Sequence, residues 1–307
     1  MTKLWVEEFR PKTIDQYVFQ SDDQKRTVQK WLDEGSIPHL LFSGSPGTGK
    51  TTLAKILIEQ LGVFEHDTLT INASRTNSVD DIRDKIVAFV STIPFGDFKV
   101  VLLDEADYLS HNAQAALRGV MEEFHATARF ILTCNYANKI IPAIHSRCQG
   151  FHIEKLDPVS FTERVATILI EKEMNFELDV LDSYIKATYP DLRKCINLVQ
   201  LNSINKQLLE PNSSDASVKD YKLDAVDLFK KGKIREARTL ISSQARVDEV
   251  DEIIKWAYDN LSLWSATDEG QDQAILVIRN ALVNHSQVAD AEINLAAMLV
   301  ELTQIEG

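Results

Sequence analysis

Cysteine is scarce in this sequence. Cys134, Cys148 and Cys195 stand far apart among 307 residues. That spacing offers neither a disulfide framework nor a zinc-ligand set, and ordinary small buried side chains are the simpler reading. Long apolar runs are also missing: none approaches the ~18 residues that a membrane-spanning helix needs. The opening Met-Thr-Lys-Leu-Trp-Val-Glu-Glu has too little apolar length and too much acid for a secretion signal. These absences point to a cytoplasmic protein. Positive charge is in deficit, with 33 Lys and Arg against 46 Asp and Glu, a net of −13. Bulk electrostatic adhesion to nucleic acid is thereby disfavoured. The deficit is uneven. Residues 1–150 carry 16 basic and 19 acidic side chains, whereas residues 151–307 carry 17 and 27. A surface that touches a phosphate backbone therefore belongs in the first half. The sequence has no internal repeat and no low-complexity tract.

The 44% hydrophobic content is enough for packed cores, and the length allows two or three domains. Short apolar or β-branched runs at His39–Phe42, Leu69–Ile71, Val100–Leu103 and Phe130–Thr133 alternate with longer amphipathic stretches. Such alternation predicts a mostly parallel sheet with helices on both faces and ligands at the carboxyl ends of the strands. After about residue 155 the strand signals stop. Three helices are predicted over Pro158–Glu173, Glu177–Tyr189 and Asp191–Leu209, with Asp191 as an N-cap after Pro190. A polar stretch, Glu210-Pro-Asn-Ser-Ser-Asp-Ala-Ser217, reads as a linker. Beyond it, amphipathic helices are predicted over Ala225–Lys231, Ile234–Ser243, Val247–Ser262, Glu269–Val283 and Val288–Thr303.

Gly44-Ser-Pro-Gly-Thr-Gly-Lys50-Thr51 fits G-x-x-x-x-G-K-[ST], a phosphate-binding loop. Leu40-Leu41-Phe42 reads as the strand entering it, and Leu53–Leu61 as the helix leaving it. In that setting backbone N–H groups point inward and the helix dipole adds positive potential. Lys50 then reaches the β- and γ-phosphates of ATP, and the Thr51 hydroxyl reaches Mg²⁺. A second apolar run, Val100-Val-Leu-Leu, ends in Asp104 and Glu105. A strand-end Asp near Thr51 can hold Mg²⁺ through its water shell, and the adjacent Glu can polarise the attacking water. Capping of the next helix is the bland alternative. Asn135 ends a further strand and could hydrogen-bond the attacking water or the γ-phosphate. Arg147 lies between a short helix pattern and a strand. It is either a surface arginine or an arginine finger, acting in its own site or a neighbour's. Arg193, at the start of a later helix, could reach back to the phosphates.

In order along the chain stand Trp5-Val-Glu-Glu-Phe-Arg10-Pro11, the phosphate loop, Asp104-Glu-Ala-Asp107, Ala113-Gln114-Ala-Ala-Leu117-Arg118, Thr133-Cys-Asn135, Ser146-Arg147-Cys148 and Pro190-Asp-Leu-Arg193. This constellation resembles the sliding-clamp loaders of the AAA+ ATPases, over residues 4 to about 200. It is most similar to the ATPase subunit of T4-like phage loaders and to the small subunits of replication factor C. The resemblance implies an AAA+ core over 1–153, a small helical lid over 154–210, a linker over 211–220 and an all-α collar over 221–307. The collar would join subunits into a five-membered open ring, several copies of this chain with one different subunit. Val6, Glu7, Glu8, Phe9, Arg10 and Val18 would border the adenine. Gly47, Thr48, Gly49, Lys50, Thr51 and Thr52 would hold the phosphates, with Mg²⁺ at Thr51 and Asp104. Arg193 would be the lid sensor and Arg147 a finger acting in trans. Gln114 would couple the catalytic acid to the DNA-facing surface.

Replication factor C subunits read Asn-Ala-Ser-Asp-[Asp/Glu]-Arg-Gly-Ile in the DNA-facing segment, followed by an arginine a turn later. Here the stretch is Asn72-Ala-Ser-Arg75-Thr-Asn77-Ser78-Val-Asp-Asp-Ile-Arg83. Arg83 is kept, Asn77 replaces an arginine, Arg75 offers a substitute, and Ser78 would N-cap the helix. The family's second arginine after Ala-Leu-Arg is Gly119. Ile93 and Phe95, at a helix tip, would enter an apolar pocket on the clamp.

The implied activity is a DNA-stimulated ATPase. ATP binding opens a ring clamp and grips primer–template DNA, and hydrolysis releases the clamp on DNA. Two other readings compete with this one. Another AAA+ machine, a branch-migration motor or an initiator, would call for pore-loop aromatics or a helix-turn-helix that are not seen. A silent scaffold subunit would call for the loss of Lys50 or Glu105, and both are present. The divergence from replication factor C leans toward a phage protein in a host cytoplasm.

Overall fold

The computed structural model describes residues 3–75, 79–210, 250–265, 267–285 and 290–305, with a few single positions between 228 and 240. Two compact units divide the chain at Glu210 and Pro211. The expected linker 211–220 and most of the two helices expected over 225–243 lie outside the described residues.

In the first unit β1 (Leu40–Ser43), β2 (Thr68–Asn72), β3 (Lys99–Asp104), β4 (Ala128–Cys134) and β5 (Gln149–His152) form one parallel sheet, ordered β2-β3-β4-β1-β5. Successive side chains of a strand point to opposite faces, and the two faces are separately packed. Leu40, Phe42, Val100, Leu102 and Ile131 join a cluster with Val28 and Trp31 of α2 (Asp22–Asp33) and Leu53, Ile56 and Leu57 of α3 (Lys50–Gln60). Leu41, Val101, Leu103, Phe130 and Leu132 join the other. There they meet Ile86 and Val90 of α4 (Val79–Val90) and Leu117, Val120 and Met121 of α5 (His111–Glu123). Apolar side chains on both faces account for the continuous runs in the sequence.

Three later helices extend the first cluster. They are α7 (Pro158–Glu171), α8 (Leu178–Thr188) and α9 (Leu192–Leu201), and a short α6 (Pro142–His145) precedes them. Asp191 caps α9 as expected, accepting from the Lys194 N–H. The third helix does not run to Leu209, and strands do not cease at residue 155. α9 ends at Leu201, and an antiparallel hairpin pairs β6 (Ser203–Ile204) with β7 (Gln207–Leu208). Its turn places Asn205 and Lys206 at φ of 51° and 61°, the positive values a tight two-residue hairpin turn demands. Two-residue strands leave no alternation to read. The two residues that follow the helix bond back to its last turn: Asn202 Nδ2 donates to the Leu198 carbonyl and Ser203 Oγ to that of Val199.

The amino-terminal segment is tied to these helices. The buried Trp5 in α1 (Trp5–Glu8) donates its backbone N–H to Gln200 Oε1 at 2.8 Å, and Arg164 donates to the Phe9 carbonyl at 2.6 Å.

The second unit contains helices Val250–Asp259, Asp268–His285 and Ala291–Thr303. Ile253, Ile254, Trp264, Ile278, Leu295 and Leu299 are among its core. Asp290 caps the last helix, and the buried Asn294 donates to the Ala281 carbonyl. Among the described residues no helix is long and apolar enough to cross a membrane.

Candidate nucleotide site

The loop between β1 and α3 lies at the carboxyl edge of the sheet. Gly47 and Gly49 take φ of +73° and +89°, which L side chains rarely adopt. A Cβ on Gly47 would collide with the Asp191 carboxylate, and one on Gly49 would lie 2.9 Å from the Tyr17 ring. The loop is thus pressed between the start of α9 and the segment containing Tyr17, whose hydroxyl donates to the Thr48 carbonyl at 3.1 Å. The Thr48 hydroxyl closes the loop on itself by donating to the Ser45 carbonyl.

Lys50 is buried at the start of α3. Its ammonium donates to the carbonyls of Gly44 and Ser45 at 2.8 and 2.7 Å. Burial pushes its pKa down to about 8; Arg193 adds to that shift, while Asp107 and Asp104 oppose it. The exposed Arg193 is therefore within electrostatic reach of the loop.

Thr51 Oγ1 donates to Asp104 Oδ1 at 2.6 Å. The same oxygen accepts from Thr133 Oγ1 at 2.6 Å, and Thr133 in turn accepts from the Glu105 N–H at 3.1 Å. Glu105 adopts φ 58°, a left-handed conformation that costs a non-glycine residue on the order of 1 kcal/mol. Strain of this kind concentrates at functional sites. Asn135 follows β4, and its N–H and that of Tyr136 both bond to Asp107 Oδ2 at 3.2 Å. Thr133 and Asp107 are the residues sequence reasoning left without a role. A threonine inside the otherwise apolar Phe130-Ile-Leu-Thr-Cys was the available signal.

The donor set suits a nucleoside triphosphate with Mg²⁺: a buried cation, a hydroxyl bonded to a carboxylate, and a glycine cradle with no room for a Cβ. Val18 is buried, and Val6, Phe9 and Arg10 are half-buried. Arg10 bonds Glu7 and, as the main cause, holds its carboxyl below the usual range. Lys172, just after α7, pairs with Glu8 at 2.7 Å. Thr52 is half-buried in the first turn of α3.

The other expected residues lie away from this pocket. The buried Gln114 donates to the carbonyls of Leu109 and Lys139 at 3.0 Å and accepts from the Ile141 N–H at 2.8 Å. It links the loop after the acids to the segment that leads to α6. The Ala73 N–H donates to the Asp104 carbonyl at 2.9 Å. Arg75 and Arg83 are exposed; Asn77 and Ser78 lie outside the described residues. Arg147 follows α6, where it donates to the Ala143 carbonyl at 2.6 Å and pairs with Glu122 of α5. Ile93 and Phe95 are 87% and 78% exposed.

A parallel sheet with a phosphate loop after β1, an acid pair after β3 and a polar residue after β4 defines a P-loop ATPase of the AAA+ class. The model for the ATPase family associated with various cellular activities (AAA) matches residues 40–154. The replication factor C small subunit of Methanococcus vannielii is 38% identical over 78% of each chain. That of Methanocella arvoryzae is 31% identical over 99% of this chain and 94% of its own. A solved Thermotoga maritima RuvB, a Holliday junction branch migration motor, superposes with a TM-score of 0.57 at 16% identity, over 76% of this chain and 85% of that one. At that identity the likeness is one of fold. The chain belongs to the replication factor C small-subunit family of clamp-loader AAA+ ATPases.

Proposed function

We propose that this chain is an ATP-driven subunit that opens a ring clamp, grips primer–template DNA and releases the clamp on DNA when ATP is hydrolysed. In this reading 1–153 is the ATPase core, 154–210 the lid, 211–220 the linker and 221–307 the collar of a five-membered ring. The observation that carries it is the 2.6 Å bond between Thr51 and Asp104, which unites the loop hydroxyl with the strand-end acid.

Gly47 to Thr52 hold the phosphates, with Lys50 as their buried cation. Val6, Glu7, Glu8, Phe9, Arg10 and Val18 border the base. Bound Mg²⁺, held by Thr51 and Asp104, would supply charge neutralisation at the phosphate oxygens. Glu105 orients and polarises water, and the left-handed backbone and Thr133 fix where its carboxylate starts from. Asn135 reads the γ-phosphate on a loop that Asp107 holds. Arg193 reports nucleotide to the lid, and Arg147 completes the site of a neighbouring subunit. Arg75, Asn77, Ser78 and Arg83 face the DNA backbone, whose contact reaches Asp104 through Ala73. Gln114 transmits between the acid loop and the finger-bearing segment. Ile93 and Phe95 enter the clamp.

Other AAA+ motors share this fold, but the 31–38% identical relatives are replication factor C small subunits by name, which favours this reading over a branch-migration motor. The test is steady-state hydrolysis by the assembled complex with and without primer–template DNA and clamp. Stimulation by both is expected. Hydrolysis indifferent to both would contradict the proposal.

A further inference from the structure

Asp67 is a fully buried carboxylate with no part in the nucleotide site. Its Oδ2 accepts from the N–H groups of Phe95 and Gly96, both at 2.8 Å. Its own N–H donates to the Phe64 carbonyl at 2.9 Å. One residue thus ties together two chain segments that each present an apolar side chain to solvent. Phe64 is 56% exposed and its ring lies against Gly96, while Ile93 and Phe95 stand further out. A second buried ionic group braces the same turn. Lys99 Nζ donates to the Phe89 carbonyl at the end of α4 at 2.7 Å and bonds the Thr92 hydroxyl, and it lies 4.5 Å from the Phe89 ring centroid. A cation there also complements the helix dipole.

Burying a charge is costly unless it is hydrogen-bonded. Here Lys99 and one oxygen of Asp67 find their partners in a short turn whose apolar side chains point away from the core, while Asp67 Oδ1 is buried with no hydrogen bond among the described residues. A turn needing only solubility would have no use for that. We propose that Asp67 is a positioning residue that holds Phe64, Ile93 and Phe95 as one preformed surface for an apolar pocket on the ring clamp, with Lys99 bracing its helix side. The proposal rests on the reading of Ile93 and Phe95 as the clamp contact. It adds Phe64 to that contact and assigns the frame beneath it. Preformation matters because a fixed turn avoids the entropy of ordering three side chains and their backbone on binding.

The test measures affinity of the intact complex for the ring clamp of the same replication system, with ATP affinity and basal hydrolysis as controls. Phe95→Ala and Phe64→Ala should each weaken clamp binding, Phe95→Ala by about tenfold or more, as for a buried aromatic anchor. Asp67→Ala should weaken it comparably with the controls unchanged. Asp67→Asn, which keeps one acceptor oxygen and is the safer variant for folding, should recover part of the loss. Adding Asp67→Ala to Phe95→Ala should cost less than the two separate losses combined, because both act through one surface. Additive losses, or equal falls in ATP affinity and clamp affinity, would assign Asp67 to the general fold and overturn the proposal. So would a loss in Phe95→Ala with none in either Asp67 variant. Normal clamp affinity in Phe95→Ala would overturn the clamp reading itself.

Discussion

Thr51 and Asp104 are 53 positions apart in sequence and joined by a 2.6 Å hydrogen bond at the carboxyl edge of the sheet. Thr133 closes the set from β4, with its hydroxyl on the same Asp104 oxygen and on the Glu105 N–H. Thr133→Val keeps the shape of the side chain and removes both bonds. We expect ATP affinity to stay near normal and hydrolysis to fall by about tenfold or more, because the two acids lose their shared register. Stability should fall by about 1–2 kcal/mol, the usual consequence of stranding a buried polar partner. Nucleotide titration, turnover assays and denaturant melts check the three parts separately.

Glu105→Gln should bind ATP normally and turn it over at least a hundredfold more slowly, since water loses its polarising carboxylate. Lys50→Ala should instead abolish tight binding, leaving the phosphates without a charge partner. Hydrolysis at the normal rate by the Gln variant would remove Glu105 from its role.

The Lys50 pKa near 8 makes a signed prediction. Below pH 8 the ammonium is charged in both folded and unfolded chains, so its burial opposes folding in full at pH 7. Between about pH 8 and 10.5 only the unfolded chain holds that proton, and stability rises with pH by up to about 3 kcal/mol. Lys50→Met should lack this rise. The difference between the two proteins' melting curves at pH 7 and pH 9.5 isolates it. ATP affinity of the natural protein should fall about tenfold per unit above pH 8, with proton uptake on binding visible by calorimetry in buffers of different ionisation enthalpy.

Much of this site was legible because its chemistry is local. The glycines, Lys50 and Thr51 are consecutive, and Asp104-Glu105 closes an unmistakable apolar run. Asp191 was readable as a cap from the proline before it. What escaped depends on contacts across the fold. The role of Thr133 needs β3 and β4 in register, and the pairing of Arg147 with Glu122 needs α5 beside α6. Asp67 looks like one more loop acid until the 93–96 turn is folded onto it. The hairpin over Ser203–Leu208 failed for another reason: strands of two residues have no period to detect, and its apolar residues read as a continuation of α9.

Arg75→Ala and Arg83→Ala should weaken DNA-stimulated hydrolysis and leave basal hydrolysis nearly intact. Each removes about one phosphate contact, so the logarithmic salt dependence of DNA binding should drop by roughly one unit per variant. Unchanged slopes in both would move the DNA surface elsewhere.

The central claim is a nucleotide site completed by a neighbour. Arg147 tests it most directly. Alone, Arg147→Ala subunits keep Lys50 and bind ATP but lack the finger, while Lys50→Ala subunits keep the finger and lose the phosphates. Each assembled alone should be nearly inactive, since arginine fingers contribute on the order of 10³-fold or more. Mixed and co-assembled, they should form some interfaces with Lys50 on one side and Arg147 on the other. The measurement is DNA- and clamp-stimulated ATP hydrolysis by the mixture, after mass spectrometry has verified that subunits exchange. Partial recovery is the predicted result. A mixture that exchanges freely yet stays as inactive as its components would contradict the account.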